Sequence, residues 1–178
     1  MGVQQPEWLY NFSPMAALCL CGAACLPRRM AIALPFAALL GTDLILNWHY
    51  SRTMPGGLAI VNAEFLAKTI AFAAVAVFGW QLRQNSSPRV VLPAAIGSSL
   101  FFYLVTSTAS WLSGSYPQNM AGWVQALTTG LPQYPASWTF FRNALVSDIA
   151  FTVLFLACIR RSVAREIEPA SAPTPARW

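Results

Sequence analysis

Five ionisable side chains stand inside long apolar stretches of this sequence: Asp43, Glu64, Lys68, Arg142 and Asp148. A charge placed in hydrocarbon costs about 2.5–3.5 kcal/mol on insertion scales, so such residues face a bundle interior or a water-filled cavity. There they either pair with one another or serve a solute. Glu64 and Lys68 stand four apart, acid first, so they can neutralise each other on one helical face or turn together toward a ligand. Asp43 shares a face with Asn47, and either Arg142 or Lys68 can answer its charge. Asp148 differs. Its helical neighbours Ala144, Leu145, Phe151 and Thr152 carry no charge, so its partner must come from another helix, and Lys68 is the expected one. His49 follows Trp48 at the end of an apolar block, the position of an interfacial residue or of a ligand. Trp111, Tyr116, Tyr134 and Trp138 gather at the same side, as an interface belt or as stacking surface.

The chemistry these residues offer is electrostatic binding, not covalent catalysis. The chain has no His-Glu-x-x-His, no Gly-x-Ser-x-Gly, no Cys-x-x-Cys and no phosphate-cradling Gly-Lys-Ser/Thr loop. It reads as a non-enzyme that needs no cofactor or metal. Cys19 and Cys21 point roughly 200° apart on a helix and cannot chelate one metal as a pair. Cys21 and Cys25 share a face with no histidine or acid beside them, which fits small packing residues. The net charge of +5 comes from arginines scattered at the ends of apolar blocks, a pattern of membrane orientation rather than of nucleic-acid binding.

The elements that must hold these side chains are apolar helices. Of 178 residues, 56% are hydrophobic and 10% charged, against roughly 25% charged in a soluble domain. The blocks predict an all-α integral membrane protein, a bundle of about five transmembrane helices plus one short interfacial or re-entrant helix. The expected spans are 12–27, 30–48, 58–82, 90–112 and 138–159, the first of them short for a ~30 Å hydrocarbon layer. Residues 120–131 are too few and too polar to span, and form the short helix. Residues 1–11 are polar, without the basic start of a signal peptide. Residues 160–178 are expected to form a basic, disordered tail, rich in proline and alanine from Glu166 on.

Five spans place Arg28, Arg29, Arg83, Arg89, Arg160, Arg161, Arg165 and Arg177 on one side. Arg52 is on the other, with Arg142 just inside the last span. The positive-inside rule makes the arginine-rich side cytoplasmic, residues 1–11 extracytoplasmic and 160–178 cytoplasmic, in a multi-pass protein of the cell inner membrane.

Three stretches carry a likeness: NFSPMAALCLCGAA at 11–24, ALPFAALLGTDLILNWH at 33–49, and FFYLVTSTASWL at 101–112 with Tyr116-Pro117 beyond. Over residues 11–155 the chain resembles an uncharacterised bacterial membrane family whose members are described only as candidate transport proteins. At fold level that family is similar to the S components of energy-coupling-factor vitamin transporters. The resemblance implies solute uptake. Family members carry an additional apolar helix before the Asn-Phe-Thr/Ser-Pro motif, where this chain has ten residues; with it the span count would be six. Ser107 stands where the family pattern has Asn after the threonine.

These readings converge on one expectation. Asp43, His49, Glu64, Lys68, Trp111, Tyr116, Arg142 and Asp148 would line a polar, aromatic-rimmed cavity open to the outside that binds a small solute. The competing expectation is an accessory or assembly protein whose buried charges only fix helix packing. Ala59, Ala63, Ala67 and Ala71 repeat every four residues and form a flat face, for a neighbour in the same chain or for a partner membrane subunit.

Overall fold

In the computed structural model, described residues are 12–27, ten positions between Arg29 and Trp48, 63–84 and 87–167. Helix α1 covers Met15–Cys25, α2 Ala63–Gln81, α3 Pro88–Ser110, α4 Met120–Leu127 and α5 Ser137–Ile167. The ten positions between Arg29 and Trp48 are all helical as well, and no strand occurs among the described residues. Among the described residues, two stretches are long and apolar enough to cross a membrane: 88–115, which is α3 with the turn after it, and Ser137–Arg161 of α5.

The helix that the others surround is the shortest but one. At about 1.5 Å per residue, α1 is only ~16 Å long, half the length of α3. Eight of its residues are buried: Ala16, Ala17, Cys19, Leu20, Cys21, Gly22, Ala23 and Ala24. They point in every direction around the axis, so α1 is enclosed rather than laid on a surface. It packs against α2, α3 and α5, while α3 also touches α2, α4 and α5. Small side chains make this density reachable. Gly79 of α2 lies so near α1 that a β-carbon there would stand 2.4 Å from the Leu20 carbonyl oxygen. Phe72 and Phe102 stack at 4.5 Å where α2 meets α3, against a core that includes Cys19, Leu20, Val75, Val91 and Leu156.

The bundle carries large apolar side chains on its outside and buries several polar ones beside its apolar core. Leu66, Ile70, Val77, Ile96, Leu100, Leu104, Val146, Val153 and Leu154 are exposed along α2, α3 and α5. Ser98, Ser99, Thr139, Asn143, Ser147, Asp148 and Thr152 are buried.

Helix ends depart from expectation in ways the backbone explains. The last helix was expected to stop at 159 and runs to Ile167, because Arg160 to Ile167 contains good helix formers and no breaker. Helix α3 widens at its end into the turn Trp111–Ser115, closed by Gly114 at φ 88°, a left-handed conformation that glycine adopts without strain. The short helix ends at Leu127, not 131, after Asn119 caps its start by accepting the Gly122 N–H at 2.8 Å.

Candidate functional site: a buried carboxylate at a helix terminus

The first amides of any helix lack an intrahelical acceptor. For α1 these amides are buried, so they need partners from elsewhere. Leu18 N–H reaches back to the Pro14 carbonyl at 2.8 Å, and Met15 N–H points at Ser13 Oγ at 3.4 Å. The Ala17 N–H is answered from another helix: it donates to Asp148 Oδ1 at 3.1 Å. An acid side chain at a helix N-terminus also meets the positive end of the helix dipole.

The second carboxylate oxygen is engaged too. Ser99 Oγ lies 2.6 Å from Asp148 Oδ2 and, at 3.0 Å, faces the carbonyl of Ala95 one turn back on α3. Asp148 is only 3% exposed. Ser99 is the twelfth of the 23 residues of α3, and Asp148 the twelfth of the 25 in Ser137–Arg161. The two longest apolar helices therefore meet the end of the short helix α1 at their own midpoints.

Around this point α5 presents a buried polar stripe. Thr139, Asn143 and Ser147 repeat every four residues, and Thr152 lies one turn beyond Asp148. Ser147 Oγ donates to the Ser13 carbonyl at 2.8 Å, and Cys21 Sγ to Thr152 Oγ1 at 3.8 Å. The other end of α1 is closed by a cation: Arg83 Nη2 donates to the Leu26 carbonyl at 3.0 Å, where a positive charge complements the dipole.

The eight expected site residues do not all converge here. Asp148 is at the centre of the cluster. Its partners are a backbone amide and a serine, where Lys68 was expected. The reason is topological: α5 packs chiefly against α3 and α1, while α2 makes at most marginal contact with it, so the carboxylate is met by the helices that flank it. Lys68 is partly buried on α2. Glu64 lies in the first turn of α2, and its side chain falls outside the described set, as do Asp43 and His49 altogether. Arg142 was expected to point inward and is exposed. It lies near the start of α5, with its guanidinium 5.2 Å from the Trp138 ring centre and two nitrogens 3.3 Å from Asn143 Oδ1. An arginine there can keep its head group near the helix end while its stem covers apolar surface. Trp111 and Tyr116 belong to the loop after α3. Trp111 Nε1 donates to the Pro117 carbonyl at 2.9 Å, and the Tyr116 carbonyl accepts from Gln118 Nε2 at 3.1 Å. Of the four spaced alanines, Ala71 is fully buried, Ala67 partly so, and Ala59 lies outside the described residues.

A cavity of about 360 Å³ opens between α2 and α3, lined by Ala74, Val75, Phe78, Gly97, Ser98 and Phe101. None of the five whose side chains are described, Lys68, Trp111, Tyr116, Arg142 and Asp148, is among them. The residues that sequence reasoning missed are Ser99, Ser147 and Thr152. The four-residue spacing of Thr139, Asn143 and Ser147 was the available signal, since it marks one polar face on an otherwise apolar helix. No group of three or more metal-binding side chains occurs among the described residues.

Fold and site together define an all-helical bundle with an apolar perimeter and a polar centre built on one carboxylate. The chain belongs to the family of unknown function DUF6580, whose model matches residues 3–168. No curated protein and no solved structure matches it.

Proposed function

We propose that the chain is a multi-pass protein of the cell inner membrane that binds or takes up a small solute, with Asp148 as the inner end of the solute's path. The observation that carries this reading is the carboxylate itself. An ionisable group held at the midpoint of two helices long enough to span, inside an apolar perimeter, is expensive and is a functional site by default. The polar stripe Thr139–Asn143–Ser147 supports it, because it offers successive hydrogen-bonding groups from the start of α5 down to Asp148. A half-length helix whose N-terminus ends at that depth is the arrangement by which transporters bring a helix dipole to a solute. The resemblance to candidate transport proteins and to S components points the same way. The eight arginines assigned to one side put the start of α5 outside and Arg83 and Arg160 in the cytoplasm.

Purified wild type and Asp148→Asn test the reading in a thermal-shift screen against vitamins, metal ions and organic ions. Asparagine can still accept from Ala17 and can donate to Ser99, so the variant keeps its melting temperature under this proposal but loses the stabilisation that a solute gives wild type. A second reading, an assembly protein whose carboxylate only ties α1 to α5, is favoured by the fact that both Asp148 oxygens are taken up by the chain's own groups. It predicts no stabilising solute for wild type. Single-cysteine labelling in a cysteine-free background tests the orientation: position 52 labels from outside in intact cells, and labelling only after permeabilisation would overturn the assignment.

A further inference from the structure

The hydrogen bonds at Ser99 can be drawn for Asp148 in either protonation state. A serine hydroxyl has one proton. Ser99 Oγ nevertheless has two oxygens within bonding distance that act as acceptors, Ala95 O at 3.0 Å and Asp148 Oδ2 at 2.6 Å. If Asp148 is ionised, Ser99 donates to Oδ2 and its approach to the Ala95 carbonyl carries no proton. If Asp148 is protonated on Oδ2, that proton is donated to Ser99 Oγ, and the Ser99 proton passes to the Ala95 carbonyl. Oδ1 accepts from the Ala17 amide in either state. The same heavy atoms therefore serve both protonation states, and the switch needs only a rotation of one hydroxyl.

We propose that Asp148 and Ser99 form a proton-binding site and that a proton is the coupling ion of the uptake proposed above, on which the second half of this statement rests. In the loading step a proton arriving along the α5 stripe forms an O–H bond with Asp148 Oδ2. The site goes from one negative charge to none, and Ser99 turns its own proton from Oδ2 to Ala95. Release reverses both moves, so no atom or electron is left over. Neutralising Asp148 also weakens its hold on the positive end of α1, so proton loading loosens the joint between α1 and α5. The groups that face Asp148 fit this use. Helix α1 contributes the Ala17 amide and the buried thiols of Cys19 and Cys21, α3 contributes Ser99, and α5 itself adds Ser147 and Thr152. The groups that act on Asp148 through hydrogen bonds are Ser99 and Ala17, and both bonds are of the kind that a neutral acid or a carboxylate can keep.

Infrared difference spectroscopy between alkaline and acidic buffer, on the full chain in lipid vesicles, reads this directly. The chain has six carboxyl side chains, so a single variant assigns the band. Wild type should show a protonated-carboxyl C=O stretch that grows as the pH falls. Asp148→Asn should remove it, and Ser99→Ala should keep it but shift its frequency, because a hydrogen bond to the acid is lost. Should Asp148→Asn fail to insert, the Ser99→Ala shift decides alone: an unshifted spectrum overturns the proposal. Absence of any such band from folded wild type also overturns it. A titrating Asp148 band in vesicles that accumulate none of the screened solutes keeps the proton site and removes the uptake reading. Solute uptake that is indifferent to an imposed pH gradient, with no titrating band, keeps uptake and removes the proton.

Discussion

The centre of the bundle and the loop end after α3 are both rich in polar contacts, but they are built on opposite plans. At the loop end most partners are close in sequence, the bonds from Trp123 to Thr108 and from Tyr103 to Leu127 reaching furthest. Trp111 bonds Pro117, Gln118 bonds Trp111 and Tyr116, Asn119 bonds Gly122, and Gln125 Nε2 bonds the Gly130 carbonyl. Most of these groups are partly or wholly exposed. At the centre the partners are separated by 131 positions for Ala17–Asp148, 134 for Ser13–Ser147 and 49 for Ser99–Asp148. Those groups are buried, except for half-buried Ser13. A local network can yield and re-form without disturbing its neighbours, whereas a long-range one exists only when three helices are docked together.

This contrast can be broken by substitutions of matched kind. The largest effect is expected from Gly79→Ala. The added methyl must clear the Leu20 carbonyl, which is backbone of an enclosed helix with nowhere to go, and the loss should be about 3 kcal/mol in reversible unfolding from mixed micelles. Next comes Asp148→Ala, which strips the buried Ala17 amide of its acceptor and should cost about 2 kcal/mol in the same titration. Asp148→Asn should cost less than about 1 kcal/mol, because it preserves both bonds. Gly122→Ala makes a still worse overlap on paper, 1.9 Å from the Pro117 carbonyl oxygen. Yet Pro117 sits in an exposed loop that can shift, so about 1 kcal/mol is expected. A Gly122 variant as damaging as the Gly79 one would show that the loop end is not local after all. The smallest effect belongs to Trp111→Phe, which removes one partly exposed hydrogen bond and should stay within about 0.5 kcal/mol.

The same contrast explains what could be read from the chain. Helices were legible because their apolar blocks are long and their ends carry arginine, proline or glycine. Thus 12–27, 90–112 and 120–131 anticipate α1, α3 and α4 within a few residues. Asp148 was legible because a lone charge in an apolar block stands out. Its partners were not. A search for a counter-charge leads to Lys68, but the acid is met by Ala17 N–H and Ser99 Oγ, neither of which carries a charge that a sequence would display. Nor does spacing reveal that α1 is enclosed. Eleven small and apolar residues look the same whether they face lipid or neighbouring helices. Arg142 misled for the converse reason: its charge is conspicuous, but a long side chain near a helix end can leave the interior.

The seating of α1 also sets an order of events during synthesis. Helix α1 leaves the ribosome first among the described helices, and the carboxylate that answers its Ala17 amide is made about 130 residues later. At roughly 5–20 residues per second, that amide waits on the order of ten seconds. Until α5 arrives, the nascent chain must shelter a polar helix end by other means. Locking of the bundle is therefore a late step, completed when the final helix enters beside the first. A chain stopped before position 148 would hold α1 against α2 and α3 yet leave its leading turn open, which gives quality control a defined feature to recognise.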